Sequence, residues 1–255
     1  MRQYKNTLLR SAIASAAQHC AREEVVHFSQ ADLSMATKTN TASRSEFIRT
    51  DSSDPDSKAI FKFDADPSRP GMTQITLPER STWTPGLHWH EQHVEHFKVV
   101  KGRVLISLDG VVKLVTPDDG PQRVERSVIH EFMRADHSKV ASEKDSGDVI
   151  TEEWTDPDDG VKHVFFRNIF STLEDAGKYW KSWTFLQALY VAAHSDDWVQ
   201  VVPGRLSWVA THVMYAAVRG VGDMLGLKPW QEEYTPKELR SVAKSLESRK
   251  RSKTE

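Results

Sequence analysis

The sequence has little cysteine and no excess of charge of one sign. Cys20 is its single cysteine, so the chain forms neither an internal disulfide nor a zinc site built from thiolates. Its 34 basic and 36 acidic residues leave a formal net charge of -2, so no overall positive field draws the protein to nucleic acid. Aromatic and basic residues do not interleave on any one predicted strand, which also argues against a nucleic-acid partner.

The sequence also lacks a hydrophobic run long enough to cross a bilayer. The longest stretch, Leu206 to Val218, is interrupted by Ser207, Thr211 and His212, and a transmembrane helix needs about 20 apolar residues. We therefore expect no transmembrane span. We expect a cytoplasmic protein, with a mitochondrial location as the alternative, because residues 1–22 contain basic residues and no acid.

Composition and periodicity divide the chain into three parts. Residues 1–58 are predicted to form a polar, partly disordered N-terminal arm, because their second half is rich in small polar and charged residues. Residues 59–170 carry short strand patterns and are predicted to form one β-domain. Residues 171–255 are predicted to form a helical extension, with helices over 171–193, 204–226 and 236–250.

The strand patterns favour an antiparallel fold. The runs 104–108 and 111–115 are rich in β-branched residues and flank Asp109-Gly110, a dipeptide typical of a two-residue type I′ hairpin. About nine short strands at this spacing are typical of an antiparallel sandwich or barrel. The other strands that the pattern defines most clearly are 59–63, 72–77, 148–154 and 161–170.

Histidines supply the main chemical signal. On a strand, residues two apart point to the same face, so His88 and His90 direct their imidazoles to one side of a sheet. Glu95 follows on the same stretch, and His130 lies on a later strand beyond the hairpin. Three histidines and a glutamate suit one divalent metal, namely Fe(II), Mn(II), Ni(II), Co(II) or Zn(II).

This pattern resembles the cupin superfamily. The spacing His88-x-His90-x4-Glu95-x6-Gly102 matches the first cupin motif, and His130 stands where the second motif has its histidine. The resemblance covers about residues 59–170. It implies an antiparallel jelly-roll barrel that holds one metal through His88, His90, Glu95 and His130.

Three positions depart from the cupin pattern. The first motif has a glycine six residues before its first histidine, whereas Gly86 lies two residues before His88. The second motif usually has Pro-x-Gly ahead of its histidine, which is absent here. Arg134 replaces the asparagine that commonly follows that histidine.

The layout of a polar arm, one barrel and a helical segment is similar to cupin proteins of fungal secondary-metabolite clusters. This similarity implies a metal-dependent oxidoreductase of oxidase or dioxygenase type, with Fe(II) favoured, acting on a small oxygenated, polyketide-like intermediate. One alternative is a non-redox isomerase, dehydratase, decarboxylase or cyclase that uses the metal as a Lewis acid. Another is a non-catalytic barrel that binds a small ligand.

Two residues outside the metal motif are catalytic candidates. Arg134 shares the face of His130 on a regular strand, where it either clamps an anionic substrate oxygen or forms a structural ion pair. His96 and its neighbour His93 are candidate general bases, because histidine titrates near neutral pH. On strand alternation, His96 faces away from Glu95.

Other polar residues of the barrel have packing as their expected role. Glu152 and Trp154 are predicted to point inward on the penultimate strand. His163 is predicted to be a buried barrel histidine with its hydrogen bonds satisfied.

The second predicted helix of the extension carries an apolar stripe that is expected to be buried against another surface. It is predicted to pack on the barrel exterior or to form a homodimer interface, and a membrane-surface helix is a third explanation. A lid over the barrel mouth, shielding an apolar substrate from water, is a further alternative. The stripe comprises Leu206, Val209, Val213, Ala216, Ala217 and Val221.

Overall fold

The computed structural model describes residues 38–51, 54–66, 68–137, 147–179, 181–204 and 206–248. Residues 1–37, which include the basic segment 1–22, lie outside the described residues, so the predicted arm is described only from residue 38 onward.

The described residues form eleven β-strands arranged in two antiparallel sheets. One sheet has the order β1 (Glu46–Asp51), β2 (Asp54–Phe63), β3 (Thr73–Leu77), β10 (Val149–Asp156), β5 (Val94–Lys101) and β8 (Gln122–Val124). The other has the order β11 (Trp198–Val199), β4 (His88–Trp89), β9 (His130–Arg134), β6 (Val104–Leu108) and β7 (Val111–Val115). The predicted mainly β, antiparallel fold class is confirmed.

The two sheets share one apolar core. Alternate residues of β3 are buried, which is the period-two pattern of a strand with one face on a core. Members of the core come from both sheets and include Phe61, Phe63, Ile75, Leu77, Phe97, Ile106 and Phe132. The core is therefore rich in aromatic rings, which contribute large apolar areas.

The predicted hairpin is confirmed. Asp109 and Gly110 both have positive φ, 47° and 83°, as a type I′ turn requires. The register runs from Val104 opposite Val115 to Leu108 opposite Val111. The turn chemistry of two residues thus sets the pairing of the whole hairpin.

The prediction of a polar arm up to residue 58 is wrong for its last part, because residues 46–51 and 54–58 belong to the larger sheet. Strand β1 pairs with β2, with Phe47 opposite Phe61. An edge strand with one solvated face needs few apolar residues, so composition alone suggested an arm. Phe47, only 1% exposed, is the apolar contact of this strand with the core, and one such residue does not alter the polar composition of the segment.

The predicted strand over 161–170 is also wrong, since these residues begin helix α1 (Val161–Tyr179). The aromatic and β-branched content favoured a strand. However, Val161, Val164 and Phe165 lie at helical spacing and are all buried. The side chain of Asp159 accepts a hydrogen bond from the Val161 backbone N–H at 3.0 Å, which satisfies a donor of the first turn.

The rest of the extension contains helices α2 (Lys181–His194), α3 (Leu206–Met224) and α4 (Arg240–Ser248), with a short 3-10 turn at Lys237–Leu239. The predicted helix over 204–226 is confirmed. Strand β11, between α2 and α3, pairs with β4, so that Val199 lies opposite His88. The extension therefore completes the smaller sheet and is not an appendage outside the barrel.

The apolar stripe of α3 faces outward, so its predicted packing on the barrel is wrong. Leu206, Val209 and Val213 are 75%, 54% and 64% exposed. The homodimer stays a prediction. No helix within the described ranges is both long and apolar enough to cross a membrane. The helix packs inward through Ser207, Thr211, Tyr215, Val218 and Gly222.

Strand β1 yields a paired test of stability. We expect Phe47→Ala to lower the free energy of unfolding by about 3–5 kcal/mol, because it removes a buried ring from the core. Ile48→Ala, at the next and exposed position of the same strand, should change it by less than about 1 kcal/mol. Urea unfolding measures both, and equal effects would show that β1 is not packed as described.

His163 is buried as predicted, but on α1 rather than on a strand. It packs edge-on against Phe63 with ring centroids 5.1 Å apart. The ring hydrogen-bonds to the backbone of Gly71, but its Nε2 has no hydrogen-bond partner among the described residues, so the prediction of satisfied hydrogen bonds holds only in part. Burial, with smaller contributions from the cations Arg167 and Lys162 and an opposing one from Asp64, lowers the pKa of His163 to about 4.

This lowered pKa makes the fold acid-sensitive. Between pH 6.5 and 4 the unfolded chain binds a proton at residue 163 that the folded chain does not bind, so the free energy of unfolding falls as the pH falls. The slope from this group is at most about 1.4 kcal/mol per pH unit. We expect the stability of His163→Leu to fall less steeply than that of wild type in unfolding experiments over this pH range, and Ile48→Ala, which removes no titratable group, to keep the wild-type slope.

Candidate metal centre

Strand pairing brings the four motif residues together. His88 on β4 lies directly opposite His130 on β9, and His90 follows two residues after His88. Glu95 lies on β5, in the other sheet. One ligand atom from each of these residues lies within 4.8 Å of those of the other three. The convergence predicted from the spacing is therefore found, and it lies between the two sheets.

Backbone carbonyls orient the three imidazoles. The Nδ1 atoms of His88, His90 and His130 lie 2.8, 2.7 and 2.9 Å from the carbonyl oxygens of Gly86, Asp196 and Val128. A carbonyl oxygen can only accept, so each Nδ1 carries the hydrogen. A neutral imidazole then has its lone pair on Nε2, the state in which it binds a metal.

The Nε2 lone pairs face a carboxylate that also has only lone pairs to offer. His90 Nε2 lies 3.1 Å from Glu95 Oε2, and His130 Nε2 lies 3.4 Å from Glu95 Oε1. The buried Nε2 of His130 has no hydrogen-bond partner among the described residues. Facing acceptors repel unless a cation or proton lies between them, so this donor set fits a divalent metal.

Local environment keeps Glu95 ionised and His88 neutral, which are the forms that bind a metal. Burial opposes the ionisation of Glu95, yet the Lys162 ammonium and the His130 imidazole hold the pKa of that carboxyl well below its usual range. Burial holds the pKa of His88 well below its usual value. Burial also opposes the charged form of His90, but Glu95 raises the pKa of His90 overall, so a proton on Nε2 and a metal compete for the space between these two residues.

Lys162 and Glu153 belong to the site and were missed by the sequence analysis. Lys162 Nζ lies 2.7 Å from Glu95 Oε2 and forms an ion pair with Glu153. Because residues 161–170 were predicted to be a strand, the sequence analysis did not show that the Lys162 side chain faces Glu95. Helical periodicity of the buried residues is the signal that could have found it.

The orientation predicted for β10 is wrong by one residue. Glu153 and Thr155 are buried, whereas Glu152 and Trp154 lie on the outer face. Glu152 pairs outside with Arg69 at 2.7 Å. A shift of one residue exchanges the two faces of a strand, so the inward carboxylate is Glu153.

The extension holds the segment that follows His90. The buried carboxylate of Asp196, between α2 and β11, accepts hydrogen bonds from the backbone N–H groups of Glu91 and Gln92 at 3.0 and 2.8 Å. It also accepts from His93 Nδ1 at 2.7 Å and from Trp198 Nε1 at 3.0 Å. Its backbone carbonyl is the one that orients His90.

His93 is a buried imidazole between two carboxylates. Its Nδ1 bonds to Asp196, and its Nε2 lies 3.2 Å from Asp159. Burial would lower the pKa of His93, but Asp159 and Asp196 raise it to about 9. His93 therefore joins the start of α1 to the segment after α2 beside the cluster.

Glu91 joins α3 to the same segment. One oxygen of Glu91 lies 3.1 Å from both Trp208 Nε1 and His212 Nε2, which are on α3. Trp89, between His88 and His90, donates to the same oxygen at 3.2 Å. The residues next to the cluster are thus fixed by α3 as well as by Asp196.

The two catalytic candidates outside the motif do not reach the cluster. His96 stacks on Trp154 with ring centroids 5.3 Å apart, on the face of β5 opposite to Glu95. Arg134 is fully buried and donates to the carbonyls of Leu77, Pro78 and Gly147 at 2.9–3.0 Å.

Arg134 also pairs with Asp136 at 3.0 Å, so the structural ion pair is confirmed and the substrate clamp is wrong. The guanidinium thus joins two segments, the end of β3 at Leu77 and Pro78 and the turn at Gly147, to its own strand. The prediction of a clamp failed because a shared strand face does not imply a shared end of the barrel.

A cavity of about 270 Å³ opens beside the cluster. Helix α1 forms one wall, to which Lys162, Phe166 and Phe170 contribute. The other walls come from both sheets and from the segment before β11. Its aromatic lining includes Phe61, Trp83, Phe132, Phe166 and Phe170, and its polar lining includes His88, His90, Glu95, Glu153, Lys162 and Asp197.

Two facing antiparallel sheets, with three imidazoles and a carboxylate converging between them, resemble the cupin superfamily, as the motif spacing predicts. No protein-family profile matches the chain. Among solved structures it is similar to a sugar phosphate isomerase of the cupin superfamily from Silicibacter pomeroyi. That similarity has 14% identity and a TM-score of 0.29, and it covers 38% of this chain and 58% of that one.

Curated relatives are fungal. The chain is 30% identical over 168 residues to the protein named "Probable oxidoreductase patJ" of Penicillium expansum, which covers 63% of this chain and 48% of that one. It is 28% identical over 161 residues to the protein named "Epoxidase atD" of Aspergillus terreus, and this match covers 59% of this chain and 47% of that one. The chain thus spans about half the length of the curated relatives it matches.

The hydrogen bonds of Asp196 lead to a test. We expect Asp196→Asn to lower the free energy of unfolding by about 3 kcal/mol, because the amide has one acceptor oxygen where four buried donors need two. Asp118→Asn makes the same change at an exposed position and should have almost no effect. Equal stability of the two variants in urea unfolding would contradict the role of Asp196.

Proposed function

We propose that the protein is a metal-dependent oxidoreductase of cupin type that acts on a small oxygenated molecule, with Fe(II) as the favoured metal. The observation that carries this proposal is the convergence of three imidazoles and the Glu95 carboxylate, with one ligand atom of each within 4.8 Å of the others. His88, His90, Glu95 and His130 are the proposed ligands. The names of the curated relatives, a probable oxidoreductase and an epoxidase, support the redox class.

The carboxylates beside the cluster support a cation. Burial and the charge of Glu95 raise the pKa of both Glu153 and Asp197. A cation at the cluster would favour the ionised form of all three carboxylates. Lys162, Arg49 and His93 also line the cavity and supply its other positive charges.

A metal in this position would polarise an oxygen of the substrate and supply the redox chemistry. The protein's own residues prepare the site for that step. Lys162 keeps Glu95 ionised and offers its remaining hydrogen to a substrate oxygen. The aromatic walls exclude water, which strengthens every electrostatic interaction within the cavity.

A non-redox reaction is the second candidate, and the Lys162–Glu153 ion pair favours it. The pair lies beside the cluster and lines the cavity, so it could transfer a proton to or from a substrate whose oxygen the metal polarises. An isomerase, dehydratase, decarboxylase or cyclase needs such a pair and no oxidant. The two candidates share the metal site and differ in the metal they require.

Metal content tests the proposal. Protein purified without a metal-chelating column is analysed for transition metals, and we expect about one ion per chain, bound by the four ligands. Glu95→Gln and His88→Ala should lose most of it, with affinity at least ~10-fold lower. His96→Ala removes a histidine from the outer face of β5 and should retain the metal.

The identity of the metal separates the candidates. Iron, with activity that is abolished by chelation and restored only by Fe(II), supports the oxidoreductase. Zinc supports the Lewis-acid reaction. A wild-type protein that takes up no divalent metal would contradict both the oxidoreductase and the Lewis-acid enzyme. It would favour a barrel that binds a ligand without catalysis.

A further inference from the structure

The carboxylate of Asp197 lines the cavity without a hydrogen bond from any other described residue. It belongs to none of the motifs that predict the cluster, and it reaches the cavity from the extension. Asp197 is half-buried, and a polar side chain that faces a cavity without a protein partner is a candidate for a ligand contact.

The backbone around Asp197 is held from three sides. The Tyr215 hydroxyl donates to the carbonyl of Asp197 at 2.8 Å. Asp196, the residue before it, is tied to the segment after His90, and Trp198, the residue after it, pairs with Trp89. The carboxylate is therefore presented at a defined place beside the cluster.

Asp197 and Lys162 give the polar part of the cavity one acceptor and one donor. Asp197, Lys162 and His90 line the same cavity. Lys162 is a donor only, whereas an ionised carboxylate is an acceptor only. A ligand that satisfies both needs an acceptor oxygen for Lys162 and a hydroxyl for Asp197.

The rest of the cavity sets the size and shape of the ligand. Its volume of about 270 Å³ is smaller than the ~300–1,000 Å³ typical of ligand pockets, which favours one ring over two. Phe61, Phe132 and Phe170 supply flat apolar walls. Such walls pack well against a planar or nearly planar ring.

We propose that Asp197 is a specificity-determining residue that binds a hydroxyl group of a single-ring substrate carrying a second oxygen toward Lys162. This inference rests on the proposed function, because it names the substrate class of the same site. The hydrogen bond from the substrate hydroxyl to Asp197 selects for oxygenated rings. It also orients the ring so that its second oxygen lies beside the cluster.

A pair of small probes tests the hydroxyl contact. The compounds 3-methoxyphenol and 1,3-dimethoxybenzene share the ring and one acceptor oxygen, and only the first has a hydroxyl. Their dissociation constants are measured by NMR titration of the metal-loaded protein. We expect wild type to bind the phenol ~10-fold more tightly, as a charge-assisted hydrogen bond would provide.

Variants at residue 197 show whether Asp197 causes the preference for the phenol over the dimethoxy compound. In Asp197→Asn the preference should fall to ~3-fold or less, because the charge is lost. In Asp197→Ala it should nearly vanish, while Asp118→Asn keeps the wild-type ratio. Asp197→Asn keeps the volume and breaks no hydrogen bond, and the alanine variant serves if it fails to fold. A wild-type ratio near 1, or one unchanged in the variants, overturns the inference.

Repeating the titrations after metal removal separates this inference from the proposed function. If the wild-type protein takes up no metal when metal is offered, but its preference for the phenol still depends on Asp197, the metal-dependent function fails and the hydroxyl contact stands. If the metal is bound and the variants retain it, but the ratio does not depend on residue 197, the site stands and the substrate inference fails.

Discussion

Three hydrogen bonds from imidazole Nδ1 atoms to backbone carbonyls are the interactions on which the site depends. They leave the Nε2 lone pairs of His88, His90 and His130 available for a metal, and the Nε2 atoms of His90 and His130 lie beside the Glu95 carboxylate. Without them the rings could rotate, or present a hydrogen where a lone pair is needed. Because the acceptors are backbone atoms, the orientation of each ring follows from the fold of its segment.

One of these carbonyls lies in a part of the chain more than a hundred positions away from its histidine. His90 depends on Asp196, and Asp196 also fixes the residues that follow His90. Strand β11 meanwhile pairs with β4, which carries His88. Barrel and extension therefore act as one unit at the cluster, although composition and periodicity separate them cleanly.

The sequence predicts what depends on local spacing. Turn chemistry was sufficient for the hairpin at Asp109-Gly110 and alternation for the shared face of His88 and His90, whereas the convergence of these two with Glu95 and His130 came from the resemblance to the cupin motifs. What failed depends on tertiary contacts: α1 was mistaken for a strand because its buried residues are aromatic and β-branched, and this hid Lys162. Glu153 was missed through a shift of one residue in β10, and Asp197 carries no local signal at all.

The position of Asp196 late in the chain has a consequence for biosynthesis. The ligand histidine His90 emerges from the ribosome long before the carbonyl that orients its ring. The smaller sheet likewise lacks its edge strand until residues 198–199 have been made. A nascent barrel can thus collapse around its aromatic core, but a correctly arranged coordination sphere can form only after α1 and α2 have been translated. Under the proposed function, loading of a cation is consequently a late event that reports on completion of the fold.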